Sequence, residues 1–170
     1  MDEYTIGIAF CDDFRKVLLI RKMKPKWQKG LLNFPGGKVE EDELPIMCVV
    51  RELKEECSLN TIIDEWRYIG FMKGGKRKEA YKVHMFCLRE IGLRKKEIKS
   101  LTKERVKLYK VESLCKVKSL SYVEWLARLA INILIPGIKD RIKMVKIDYV
   151  DHYTDTIVTS KRKQNGENKR

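Results

Sequence analysis

The chain has 170 residues, with 37 Lys or Arg against 24 Asp or Glu, a net charge of +13. That length suits one folded unit, and an apolar fraction of 44% excludes global disorder. Five scattered cysteines with no CxxC pair, beside only two histidines, exclude a disulfide scaffold and a structural zinc finger; reduced thiols in a cytoplasmic protein are expected.

In chain order, residues 4–10 and 17–20 read as strands around a turn at Cys11-Asp12-Asp13. A basic loop over 22–33 contains Trp27, and Asn33-Phe34 leads into a tight Pro35-Gly36-Gly37 turn, then a short extended stretch over 38–43. Pro45 fits the first turn of a helix running to Cys57, with Met47, Val50, Leu53 and Cys57 on its apolar face. Strands are expected near 62–72 and 79–90, with edge strands at 98–101 and 105–111. Lys73 to Lys78 reads as an exposed hairpin loop. Ser121 can cap a second helix over 122–134, with Glu124 in capping-box spacing and Pro136-Gly137 as its stop. Residues 142–158 alternate weakly, as one more strand would. The pattern predicts an α/β (or α+β) domain over residues 1–160 and a disordered basic tail over 161–170. No secretory signal opens the chain, and the apolar run 126–138 is too short and too interrupted to span a bilayer, so no membrane partner is expected.

Charge is unevenly placed. Residues 94–118 hold ten basic and three acidic residues, and the tail five basic and one acidic. Against that trend, Glu40–Glu56 holds seven acids and two basic residues. Helical spacing puts Glu52, Glu55 and Glu56 at i, i+3 and i+4, on one face. Bare, they repel one another; such oxygen clusters suit hard cations, Mg²⁺ or Mn²⁺, which also accept phosphate oxygens. The glycines ahead of the helix allow close backbone approach. Arg51 can pair with Glu43 or a neighbouring Glu and fix the helix.

Gly37, Glu43, Arg51-Glu52-Leu53, Glu55-Glu56 and Leu59 stand at the spacing Gly-x5-Glu-x7-Arg-Glu-aliphatic-x-Glu-Glu-x-Gly-aliphatic. This segment resembles the Nudix box, departing only at Ser58, where the pattern has Gly. The resemblance implies an α/β/α sandwich with a mixed curved sheet and two main helices. It implies divalent-metal-dependent hydrolysis of a nucleoside diphosphate linked to another group. Gly37, Glu52, Glu55 and Glu56 would serve the metal, with Glu55 or Glu56 orienting or deprotonating water. A further acid is expected from a downstream loop, Glu104 ahead of Glu97.

Within that family, Trp27, Leu32-Asn33-Phe34-Pro35-Gly36-Gly37 and Val83-His84-Met85-Phe86-Cys87 are similar to the oxidised-purine nucleoside triphosphatases. By that likeness Asn33 meets a purine edge, or only stabilises its turn. Phe34 and Trp27 stack on the base, or only pack the core. Tyr4, Phe86, Lys38 and Arg21 complete the expected substrate-binding set. The likeness implies hydrolysis of nucleoside triphosphates, oxidised purines such as 8-oxo-dGTP among them, to the monophosphate and pyrophosphate; residues 118–121 depart from it, carrying no acids where the animal enzyme reads the base. Two other readings stand beside nucleotide hydrolysis: decapping or pyrophosphate removal at RNA 5′ ends, tracked by the basic surface and tail, and a non-catalytic Nudix-like module. The intact Glu52, Glu55 and Glu56 set speaks against the last. A monomer or a homodimer is compatible with all of these.

Overall fold

Strand alternation decides which residues meet which helix. The protein's structure, a computed structural model, describes residues 1–75, 80–89, 91–135, 145–148 and 157–159. Its elements are β1 (Asp2–Cys11), β2 (Lys16–Arg21), β3 (Leu32–Asn33), α1 (Pro45–Cys57), β4 (Arg67–Gly74), β5 (Tyr81–Leu88), β6 (Arg105–Lys110), α2 (Val123–Leu134), β7 (Val145–Asp148) and β8 (Ile157–Thr159). The sheet is mixed: β1 runs parallel to β5 and β4 to β7, and the remaining pairs are antiparallel. Ile6, Ile8 and Phe10 of β1 and Val17 and Leu19 of β2 pack toward α2; Ala9, Cys11, Leu18 and Ile20 pack toward α1. One helix on each face makes the expected α/β/α sandwich.

β2 is the junction. β6 covers its whole length on one edge, while β1 pairs at Lys16 and Val17 and β3 at Ile20 and Arg21. β1 and β3 therefore share the other edge and diverge from it. The Pro35–Val39 segment fills the divergence, with Gly7 N–H donating to Pro35 O and Thr5 N–H to Gly37 O, both at 2.8 Å.

Leu53 and Cys57 of the expected apolar face of α1 are buried and Val50 is half-buried, but Met47 is exposed and the buried stripe is completed by Cys48, Val49 and Glu56. The stripe thus includes a carboxylate, Glu56, which turns inward. Gly7 receives the helix: a Cβ there would sit 2.7 Å from Val49, 2.8 Å from Leu53 and 2.9 Å from Trp66. Ser58 closes α1 in the left-handed region at φ 62°, its N–H on Lys54 O and that of Leu59 on Leu53 O. This is the helix ending that the pattern's glycine makes easiest.

Three expectations fail. Residues 98–101 form no strand, because Lys99 and Leu101 donate to the carbonyls of Cys57 and Glu56 at the end of α1. Ser121 is not the cap of α2: Tyr122 occupies that position in helical geometry, with no side-chain capping bond. In place of one strand over 142–158, the described residues there show two short ones, Val145–Asp148 and Ile157–Thr159. β4 and β5 form the expected hairpin, Gly74 opposite Tyr81, although residues 76–79 of its loop lie outside the described residues. Pro136-Gly137 and the 161–170 tail also lie outside them. All five cysteines are free thiols, and among the described residues no helix is long and apolar enough to cross a membrane.

Replacing Gly7 with Ala should cost about 1–3 kcal/mol by overpacking. Urea denaturation measures it, and an unchanged midpoint would show that α1 is not seated on this strand.

Candidate active site

Four carboxylates gather where α1 meets the Pro35–Val39 segment. Glu56, 8% exposed, accepts the Gly36 N–H at 2.9 Å. Glu52 lies against Gly37 so closely that a Cβ on that glycine would stand 2.1 Å from its Oε1. Gly36 has φ +145°, and its own Cβ would strike the Thr5 carbonyl oxygen at 2.1 Å. The backbone of β1 thus demands the glycine at 36, while at 37 a Cβ would displace the Glu52 carboxylate from its place.

Arg51 binds Glu43 through both its Nε and Nη2 at 2.9 Å, Glu52 at 2.9 Å and Glu55 at 3.2 Å. It holds the Glu43 carboxyl below the usual range, chiefly by hydrogen bonding. Burial pushes Glu52 up, against the pull of Arg51. Burial also pushes Glu56 up to about 7, opposed by the Gly36 N–H and by Lys22. Glu55 is exposed over half of its side chain.

Glu104, in the loop before β6, accepts Met23 N–H at 2.8 Å and Lys22 Nζ at 2.7 Å, and the same ammonium stands 3.9 Å from Glu56. Lys22 therefore joins the downstream acid to the helix; Glu97 is exposed on a separate turn. The expected site residues do not include Lys22. Its signal was its place at the end of β2, one residue past the chosen Arg21. Among the described residues no three Asp, Glu, His or Cys side chains converge closely enough to hold a metal alone. Arg51 and Lys22 are the cations interposed between them. The donors, hard oxygens against a glycine with no side chain to block approach, fit a divalent cation.

A cavity of about 470 Å³ opens on the same Gly36-Gly37 turn, lined among others by Tyr4, Lys22, Trp27, Asn33, Lys38 and Tyr122. Asn33 Oδ1 accepts Phe34 N–H at 2.8 Å and the Tyr122 hydroxyl at 2.9 Å. Tyr4 stacks edge-on with Tyr81, and Lys38 pairs with Asp2. Trp27 is 53% exposed, at the lip. Three expected pocket residues are elsewhere. Phe34 is fully buried in the α2-side core. Phe86 points to the α1-side core, because alternation along β5 sends Met85 and Cys87 the other way. Arg21 is exposed and donates to Gly30 O at 2.7 Å, outside the cavity.

A family model described as the NUDIX domain matches residues 1–129. Over 63 residues the chain is 33% identical to an 8-oxo-dGTP diphosphatase of Proteus vulgaris, covering 35% of this chain and 56% of that protein. Over 51 residues it is 41% identical to a CTP pyrophosphohydrolase of Escherichia coli strain K12, covering 30% and 38%. The matches thus span about half or less of these curated relatives. A crystal structure of a MutT protein from Bacillus halodurans superposes with a TM-score of 0.62 at 16% identity, covering 93% of this chain and 97% of that one, a likeness of fold.

Folding raises Glu56, so its protonated form is favoured in the folded protein. The stability this confers is full below pH 4.5 and is lost as pH rises through about 7. With chelator present, stability relative to Glu56→Gln should fall by ~3 kcal/mol between about pH 4 and 8. A difference that stays constant with pH would refute the burial assigned to this carboxyl.

Proposed function

The chain belongs to the Nudix hydrolase family, and from that premise we propose that it hydrolyses nucleoside triphosphates to the monophosphate and pyrophosphate. The observation that carries this reading is the shared Gly36-Gly37 turn, which holds Glu56 and Glu52 on one side and opens a nucleotide-sized cavity on the other. Oxidised purine substrates such as 8-oxo-dGTP are the finer reading, supported by the similarity to the Proteus vulgaris protein.

In this reading Glu52, Glu56 and Glu104, with the Gly37 carbonyl, would hold Mg²⁺ or Mn²⁺. A bound divalent cation supplies charge neutralisation on the triphosphate and a lowered pKa for bound water. Glu56 is the fixed member, its Oε2 tied to the Gly36 N–H. Glu55, on the exposed side of the cluster, takes the proton of the attacking water at a carboxylate oxygen. Arg51 keeps Glu52 and Glu55 from swinging apart. The α–β phosphoanhydride bond breaks, the water oxygen becomes bonded to phosphorus, and pyrophosphate departs. Lys22 and Lys38 line the route of the triphosphate. The base is met by Asn33, Tyr4 and Trp27, and among the described residues no Asp or Glu lines the cavity to read it.

Glu55→Gln and Glu56→Gln should each lower kcat by about 100-fold or more with the fold intact by circular dichroism. Chelation should silence the wild type, and Mg²⁺ or Mn²⁺ should restore it. Full turnover in both variants would remove these residues from the chemistry. Asn33→Ala should raise KM for a purine triphosphate by about three- to tenfold, the worth of one hydrogen bond. An unaltered KM would leave Asn33 a turn residue alone.

A further inference from the structure

The Pro35–Val39 segment lies along β1 like a short antiparallel strand. Gly7 N–H donates to Pro35 O, Thr5 N–H to Gly37 O and Val39 N–H to Glu3 O. With the Gly37 carbonyl turned to β1, the Lys38 carbonyl is turned away from it. It accepts instead from two side chains of α1, Arg51 Nη2 at 3.2 Å and Cys48 Sγ at 3.4 Å. The turn that carries Gly37 is therefore held from both sides, by β1 through one carbonyl and by α1 through the next.

Cys48 is fully buried, one helical turn ahead of Arg51 and Glu52. Burial pushes its thiol up to about 11, so the sulphur keeps its proton at neutral pH. A thiol has one hydrogen. Directed at Lys38 O, it leaves the sulphur as acceptor for the Thr5 hydroxyl at 3.2 Å and for Arg51 Nη2 at 3.5 Å. Gly37 O lies 3.9 Å from the same sulphur. Thr5, 1% exposed, thus acts twice, with its backbone N–H on Gly37 O and its hydroxyl on Cys48. Apolar packing alone would accept Ala at 48 and Val at 5. Ala at 48 would strand the buried Thr5 hydroxyl and leave Lys38 O to Arg51, whose nitrogens are already spread over Glu43, Glu52 and Glu55.

We propose that Thr5 and Cys48 are a pair of positioning residues for the Gly37 carbonyl: they grip the peptide groups on either side of Lys38 and fix the direction in which that carbonyl meets a divalent cation. The inference rests on the metal site of the reading above. There the Gly37 carbonyl has one lone pair engaged by Thr5 N–H and a second left for the cation. Both residues act through the turn rather than on the substrate's reacting atoms. Neither is one of the box positions, so the pairing belongs to this chain's own packing.

The test uses the full chain as wild type and as Cys48→Ala, Cys48→Ser and Thr5→Val. Mn²⁺ is titrated without nucleotide, the free ion being read by electron paramagnetic resonance, and thermal melting with chelator reports the metal-free fold. Removing a group that orients a metal ligand costs about 10- to 100-fold in metal affinity. Cys48→Ala should weaken Mn²⁺ binding by about tenfold, the lower end, because a thiol is a weak donor. Cys48→Ser keeps a donor and an acceptor and should stay within about threefold of wild type. Thr5→Val keeps the backbone N–H, loses only the hydroxyl and should weaken binding by about three- to tenfold; it probes the same link from β1 should Cys48→Ala fail to fold. Lower melting temperatures with unchanged Mn²⁺ affinity in Cys48→Ala and Thr5→Val would reduce the pair to packing and overturn the proposal. Equal losses of affinity in Cys48→Ser and Cys48→Ala would overturn it too. The expected pattern of Mn²⁺ affinities in a protein that turns over no nucleoside triphosphate would count against the hydrolase reading and support the positioning pair. A wild type that binds no Mn²⁺ would overturn both.

Discussion

The site depends on the close approach of α1 to a strand that lacks a side chain at the point of contact. Val49 and Leu53 descend on Gly7, and that depth sets the height of every functional group on the helix. Glu56 reaches the Gly36 N–H only because the helix is this low, and Glu52 reaches Gly37 only because that residue also lacks a Cβ. Hydrophobic packing on one side of the helix and carboxylate placement on the other are therefore one constraint. Burial of Glu56 follows from it, as does the upward push on its pKa. A carboxyl placed so deep is costly unless a cation accompanies it, and the protein supplies Lys22 and Arg51 at the cluster's margins.

The two basic residues do different work. Arg51 makes a fork-like contact with Glu43 and reaches Glu52 and Glu55 with its remaining nitrogens, so it organises the helix face. Lys22 is a point charge on a flexible stem, bridging the helix to the loop before β6. Such an ammonium can exchange one oxygen partner for another with little rearrangement. It lines both the acid cluster and the cavity, so carboxylate and phosphate are its natural alternative partners.

The box was legible because its meaning is local. Helical spacing alone put three Glu residues on one face, and Pro45 marked where the helix begins. The strands β1, β2 and β5 were equally legible from their apolar runs. What escaped depended on tertiary partners. Residues 98–101 resemble a strand in composition, yet their N–H groups go to the end of α1, which no local pattern announces. Phe86 looked like a pocket residue until alternation along β5 was anchored by the burial of Met85 and Cys87 on the opposite face. The buried face of α1 was legible at Leu53 and Cys57 but not at its edge, because an inward-facing Glu56 breaks the binary pattern of polar outside and apolar inside. Lys22 was passed over for the same reason: its worth lies in Glu104, 82 positions away.

The bonds from Lys99 and Leu101 to the last carbonyls of α1 carry a consequence for how the site tolerates change. They tie the approach to Glu104 to the helix that bears Glu56, rather than to the long connection that passes through β4 and β5. The spacing of the two acids is thus set across a single helix end. In engineering terms, the helix terminus is the gauge that keeps the site in register, while β4 and β5 serve the sheet and its two cores.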